Sequence, residues 1–319
     1  MAERPPLNGI HHVTAIASDA QTNLDFYVRF LGLRLVKQTV NFDDPGTYHF
    51  YYGDRLGRPG TLITFFPWAG TGRGRAGAGQ VSATAFAVPA GALELWQQRV
   101  MRYGVDASQA ESPWGERILR LNDPDGLSLE LVETTAVTPE AEDGLEVPAE
   151  AAITGIARAE LLSYHPEQTL QLLTNTLGYS RQGETGDLVR LTSESGSLLD
   201  VHLRAAPRGL GGAGTVHHIA FRTPTDEAQQ SWIDTLTDAG VAVTPVMDRN
   251  YFRSIYFREP GGILYEIATD PPGFTVDEPA DELGSTLKLP QQYEKHRDRI
   301  QLALPQITVP VAGVASESY

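Results

Sequence analysis

The sequence predicts an α+β protein made of four βαβββ modules arranged as two tandem domains. Three observations predict it. A strand-like stretch carrying two adjacent histidines occurs twice, at 9–16 and at 214–221. Short runs rich in β-branched and aromatic residues surround single helical stripes. The order strand, helix, three strands then recurs four times, with a period of about 60 residues.

The first module opens with Gly9-Ile10-His11-His12-Val13-Thr14-Ala15-Ile16. Leu24, Tyr27, Val28 and Leu31 follow as a helical stripe, and Gly32 stands where a C-cap belongs. Strands are expected at 34–42, 47–53 and 61–67. The second module reads as a strand at 80–89, a helix at 93–103, and strands near 109–111, 116–122 and 127–133. The third reads as a strand at 153–164, a helix at 166–177, and strands near 179–182, 188–192 and 197–203. The fourth begins with the His218 strand. A helix at 229–239 and strands at 241–247, 251–258 and 263–269 complete it. Residues 7–137 hold the first pair of modules and 151–270 the second. An acidic, proline-bearing linker, 138–150, separates them, and the tail, 271–319, is expected to wrap the second domain.

Composition narrows the class. The 319 residues are 41% hydrophobic, enough for a sizeable core, and contain no cysteine, which excludes disulfides and thiolate ligands. A formal charge of -15 opposes nucleic-acid binding, because phosphate contact needs a basic face. No apolar run approaches the roughly 18 residues of a membrane span. The N-terminus lacks an apolar signal core, so a cytoplasmic location is expected.

The repeats sort the candidate metal ligands. Counted three or four residues on from Gly9, Gly79, Gly155 and Gly214, the position of His12 and His218 is held by Ala83 and Arg158 in modules two and three. Counted from the turn glycine before each last strand, Glu266 corresponds to Thr64, Glu130 and Asp200. Modules one and four together therefore offer His12, His218, Glu266 and the non-ligand Thr64. Two imidazoles and one carboxylate make a facial-triad ligand set with open positions. Modules two and three offer Ala83, Arg158, Glu130 and Asp200, a set with no neutral donor. It reads as a decayed site surviving as a salt bridge from Arg158 to Glu130 or Asp200.

The repeat, with Gly-Ile-His-His-Val-Thr at 9–14 and Pro-Gly-Gly-Ile-Leu-Tyr-Glu at 260–266, resembles the vicinal oxygen chelate superfamily, which has a glyoxalase-like fold. The paired histidines of modules one and four, Asp248-Arg249-Asn250-Tyr251-Phe252, and the stretch 287–294 resemble its hydroquinone ring-cleaving dioxygenase branch. That resemblance implies Fe(II) held by His12, His218 and Glu266. It also implies supporting roles for His11, Thr14, His217, Arg249 and Tyr256.

The expected activity is cleavage of a substituted hydroquinone beside a hydroxyl-bearing carbon, with O₂ as co-substrate. The rivals are a glyoxalase-like isomerase or lyase, which usually has four protein ligands, and a metal-free sequestering protein. Strand alternation predicts that His11 and His217 point away from the metal-facing side unless the strand bulges. His49 has no repeat counterpart and reads as strand structure. The glycine-rich stretch 69–80 lacks the Lys-Ser/Thr ending of a phosphate loop and reads as a flexible linker. The sequence leaves a homo-oligomer open.

Overall fold

In the computed structural model, residues 4–135 and 147–310 are described; most of the expected linker, 138–146, lies outside them. Module one comprises β1 (Ile10–Ala17), α1 (Ala20–Leu24, continuing as a π-helical turn to Phe30), β2 (Arg34–Val40), β3 (Tyr48–Gly53) and β4 (Leu62–Pro67). Module two comprises β5 (Gln80–Pro89), α2 (Leu93–Tyr103), β6 (Ala107–Glu111), β7 (Arg117–Asn122) and β8 (Ser128–Thr134). Module three comprises β9 (Gly155–Leu162), α3 (Pro166–Gln171), β10 (Ser180–Thr185), β11 (Leu188–Thr192) and β12 (Leu198–His202). Module four comprises β13 (Thr215–Thr223), α4 (Asp226–Asp238), β14 (Met247–Asp248), β15 (Arg253–Arg258) and β16 (Leu264–Thr269). The expected strand at 241–247 shrinks to β14 and a single bridge at Val243, because Pro245 has no N–H to offer a ladder.

The strands form two eight-stranded sheets. One runs β14-β15-β16-β13-β1-β4-β3-β2 and the other β10-β11-β12-β9-β5-β8-β7-β6. Module one thus shares a sheet with module four, and module two with module three. At each sheet's centre the opening strands of two modules run antiparallel, β1 beside β13 and β5 beside β9. Alternation then divides the side chains. Val13, Ala15, Ile219 and Phe221 enter the main core with Tyr27, Phe30, Trp96 and Trp232 of the helical segments. His12, Thr14 and His218 take the opposite, concave face.

The glycines before β1 and β13 serve the crossing of the sheets. Gly9 has φ +88° and Gly214 φ +78°, a region that L side chains avoid. A Cβ on Gly214 would lie 2.1 Å from the Asp125 carbonyl oxygen, and one on Gly9 2.4 Å from Ser197 Cβ. Backbone bonds from Ile156 N to Gly60 O (2.8 Å) and Tyr164 N to Gly261 O (2.9 Å) tie the sheets together.

Two expectations are corrected. Stretch 69–80 is an ordered segment rather than a free linker: Arg73, Arg75 and Ala78 bridge to Ala213, Leu210 and Arg208 of the connection between modules three and four. The described part of the tail, 271–310, does not stay on the second domain: it leaves module four past Tyr251 and returns over module one, where Leu287 bridges Gln38 of β2; 311–319 lie outside the described residues. Buried Lys37 bonds Asp277 at 2.6 Å and Glu278 at 2.5 Å. A lysine buried on β2 needs carboxylates, and the tail supplies them.

The concave face of the second sheet carries the expected ion pair in a larger form. Buried Arg158 bonds Glu130, lies 3.3 Å from Asp200 and reaches Glu116 at 3.0 Å. Arg190 and Arg120 complete the network on Asp200 and Glu130. Removing one partner of a buried pair strands the other charge. Arg158→Met should therefore lower unfolding free energy by about 3–5 kcal/mol, with most of it recovered when Glu130→Gln and Asp200→Asn are added. Urea titrations of the single and triple variants check this.

Candidate metal centre

The pairing of β1 with β13 contains two register shifts. Ile10 faces Phe221 while His12 faces Ala220, so His11 is the extra residue of a bulge on β1. Thr14 faces His218 while Ala15 faces Val216, so His217 is the extra residue of a bulge on β13. A bulge suspends the rule that neighbours point to opposite faces. Both strands thus meet the exception named for His11 and His217, and neither histidine turns away into the main core. His11 Nδ1 lies 2.9 Å from His12 Nδ1, and His217 Nδ1 lies 2.8 Å from His218 Nδ1. His217 faces the cavity beside His218. The ring of His11 packs behind His12, 5.0 Å from Phe252.

The bulges aim one ring nitrogen of each inner histidine at the other. His12 Nε2 and His218 Nε2 are 3.3 Å apart. Glu266, on β16 beside β13, brings Oε2 to 2.9 Å from His218 Nε2 and 3.5 Å from His12 Nε2. All three residues are buried, and Oε2 receives no aligned hydrogen bond. Ser254 donates to the other oxygen, Oε1, at 2.5 Å. Burial alone would raise the Glu266 carboxyl; the imidazoles of His12 and His218 more than offset it and hold the group well below the carboxylate range. Burial, opposed by Glu266, lowers His218.

These residues fit a divalent cation. Donor atoms bonded at about 2.1 Å and set at right angles stand roughly 3 Å from one another, close to the spacings seen here. Ligand imidazoles need a partner for the second ring nitrogen, and the Nδ1 contacts to His11 and His217 provide one each. A buried carboxylate oxygen without a donor is otherwise costly. His12, His218 and Glu266 could together hold the ion with one N, N, O face.

A cavity of about 400 Å³ opens onto this cluster. Its walls come from both modules that share the sheet: Phe66 and Trp68 from one, Met247 and Phe252 from the other. Tyr256 lies on β15 directly across from Glu266, and its hydroxyl is 3.3 Å from Arg249 Nε. Burial and the charge of Glu266 push the Tyr256 phenol up, so it stays protonated. Arg249 reaches outward to Asp43, 3.3 Å away. Thr14, fully buried, bonds Thr64 at 2.8 Å. Arg249, Tyr256, His217, His12 and His218 border one cavity, and Glu266 lies beneath the two histidines. Thr14 and His11 sit behind its wall.

Sequence reading missed His49, Tyr51 and Ser254. Tyr51 faces Thr64 as Tyr256 faces Glu266. His49, two residues before Tyr51, is therefore the positional counterpart of Ser254, two before Tyr256. It lines the cavity rather than serving only as strand structure. The signal was present: both pairs have the same spacing within their strands. A search for repeated histidines passes over a histidine that matches a serine.

This fold and site place the chain in a class. It belongs to the Glyoxalase/Bleomycin resistance protein/Dioxygenase superfamily, whose family pattern matches residues 9–131 and 155–267. Among particular relatives, it is 50% identical over 298 residues to the "Putative ring-cleaving dioxygenase MhqO" of Bacillus subtilis (strain 168), covering 93% of this chain and 95% of that one. It is 35% identical to the "Chlorohydroquinone/hydroquinone 1,2-dioxygenase" of Sphingobium indicum, covering 92% and 95%. A crystal structure described as a "putative dioxygenase" from Bacillus subtilis superposes with TM-score 0.93 at 49% identity, covering 97% of this chain and all of that one. Glyoxalase I from Zea mays shares the fold, with TM-score 0.62 at 13% identity over 82% of this chain and 92% of that one.

Two outcomes follow for the site. Glu266→Gln should reduce bound divalent metal roughly tenfold or more, read by elemental analysis, while circular dichroism stays unchanged. The metal-free protein should lose stability as pH falls below 6.5. Burial, then the charge of His12, lowers buried His11 well below that ordinary value. The unfolded chain then takes up protons before the folded one, and stability drops with pH. His11→Gln should reduce the slope of unfolding free energy between pH 6 and 5 by up to about 1.4 kcal/mol per unit.

Proposed function

We propose that this chain is an enzyme, an Fe(II)-dependent ring-cleaving dioxygenase that opens a substituted hydroquinone beside a hydroxyl-bearing carbon. The observation that carries the reading is the cluster of His12, His218 and Glu266 under an aromatic-walled cavity, with Thr64, beside Thr14 on β4, at the position that corresponds to Glu266 in module one. The relatives named for ring cleavage support the reaction class, and the one named for hydroquinone supports the substrate. Iron bound by the three residues would supply adjacent positions for O₂ and an aryl hydroxyl.

The chain's own groups have separable tasks. Phe66, Trp68 and Phe252 offer planar apolar walls to a ring. Tyr256 donates a hydrogen bond to a substrate oxygen, with Arg249 behind its hydroxyl fixing the direction. His217, neutral because burial pushes it down to about 3, accepts the Nδ1 proton of His218 and keeps its own hydrogen on Nε2, facing the cavity. His11 serves His12 in the same way, and Thr14 orders Thr64. The division into 7–137 and 151–270 is proposed as two duplicated halves of the sequence. Thr64 counts against a four-ligand isomerase, and the intact cluster against a metal-free binding protein.

Anaerobic loading with Fe(II), followed by oxygen-electrode measurement with methyl- or chlorohydroquinone, tests the proposal. One O₂ should be consumed per ring opened, and Tyr256→Phe should slow turnover roughly 10²-fold without loss of iron. No uptake with any hydroquinone or catechol would discard the oxygenase reading.

A further inference from the structure

A hydrogen-bonded chain runs along the module-one side of the cavity. Thr14 Oγ1 contacts Thr64 Oγ1 at 2.8 Å, Thr64 Oγ1 contacts His49 Nε2 at 2.9 Å, and His49 Nδ1 contacts the Tyr51 hydroxyl at 2.9 Å. His49 is held between Tyr51 and Phe66, with ring centroids 4.1 and 4.4 Å away. No metal-cluster residue belongs to the chain, and the roles assigned above make no use of its outer half.

The hydrogens of this chain can be counted. Three hydroxyls carry one each and a neutral imidazole carries one more. Burial keeps His49 neutral. Four hydrogens meet three contacts, so one O–H is always left over. It falls on Thr14, Thr64 or Tyr51. Both threonines are 0% exposed, and among the described residues neither hydroxyl has another hydrogen-bond partner. A spare donor there stays unpaired in the interior, which is the expensive arrangement. Tyr51 lines the cavity, where a ligand oxygen can accept.

We infer that Thr14, Thr64 and His49 form a directed chain, each donating to the next, which turns the Tyr51 hydroxyl into a hydrogen-bond donor for an aryl oxygen of the substrate. Tyr51 then faces the ring from the wall opposite Tyr256, and the two tyrosines grip a substrate that carries oxygen on more than one edge. Only the identity of the ligand rests on the dioxygenase reading. The direction of the chain does not. It requires that His49 carry its hydrogen on Nδ1, whereas a spare hydrogen on either threonine requires Nε2.

Long-range proton–nitrogen NMR of ¹⁵N-histidine-labelled, Zn²⁺-loaded protein reads the tautomer without substrate, with His49 assigned by its loss in His49→Gln. A proton on Nδ1 is expected; a proton on Nε2 overturns the inference. Anaerobic titration with methylhydroquinone, followed by tryptophan fluorescence, reads the donor. Tyr51→Phe should weaken binding roughly tenfold or more at equal zinc content. His49→Gln, whose amide can pass the same direction, should retain more affinity than His49→Leu. The double variant with Tyr51→Phe and His49→Leu should lose no more than Tyr51→Phe alone. Unchanged affinity in Tyr51→Phe overturns the role of the hydroxyl. Wild-type protein that binds no methylhydroquinone would count against the substrate reading, while the tautomer would still decide the direction.

Discussion

The antiparallel pairing of β1 with β13, interrupted by one bulge on each strand, is the constraint on which the site depends. Without it, strands some two hundred residues apart would not bring His12 and His218 within 3.3 Å. Without the bulges, the outer histidines would turn into the core, and the inner ones would lose the partner that orients each ring. The two bulges are related by an approximate twofold running through the ladder. Each supplies one donor and one support, and β16 adds the carboxylate on one side only.

The second sheet shows what the same scaffold does without the donors. β5 and β9 pair with bulges at Ser82 and Ala157, the positions of His11 and His217. Arg158 stands where His218 stands, and Glu130 and Asp200 where Thr64 and Glu266 stand. A guanidinium fixed to the chain occupies the middle of the carboxylates there, so charge is balanced from within. In the first sheet the balance is left open to a cation from outside. One backbone arrangement thus yields a static ion-pair cluster in one place and a candidate metal centre in the other, and the difference lies in a few side chains.

Much of this was legible in the sequence, for identifiable reasons. The modules were readable because each carries its own periodicity and its own turn glycines. The clustering of His12, His218 and Glu266 was readable because the two histidines hold matching strand positions and Glu266 holds the last-strand position of module four, and the Arg158 ion pair followed from the same alignment. The orientation of His11 and His217 was not readable, since a bulge is a property of two paired strands and leaves no pattern in one of them. The path of the tail depends on Lys37, whose burial on β2 is a tertiary fact. His49 and Tyr51 were passed over because their importance arises from cross-strand neighbours, Thr64 above all. The stretch 69–80 looked like a linker by composition, yet its glycines permit the close approach to 208–213 that orders it.

The central claim is that three protein donors, and no fourth, hold one divalent ion between the first and last modules. A crystal structure of protein soaked anaerobically in Fe(II), with anomalous scattering to locate the ion, tests this most directly. The account predicts a single strong site bonded to Nε2 of His12, Nε2 of His218 and the Glu266 carboxylate, with its remaining positions free of protein. An ion bonded also to Thr64 or His49, or lying away from these three residues, would contradict it.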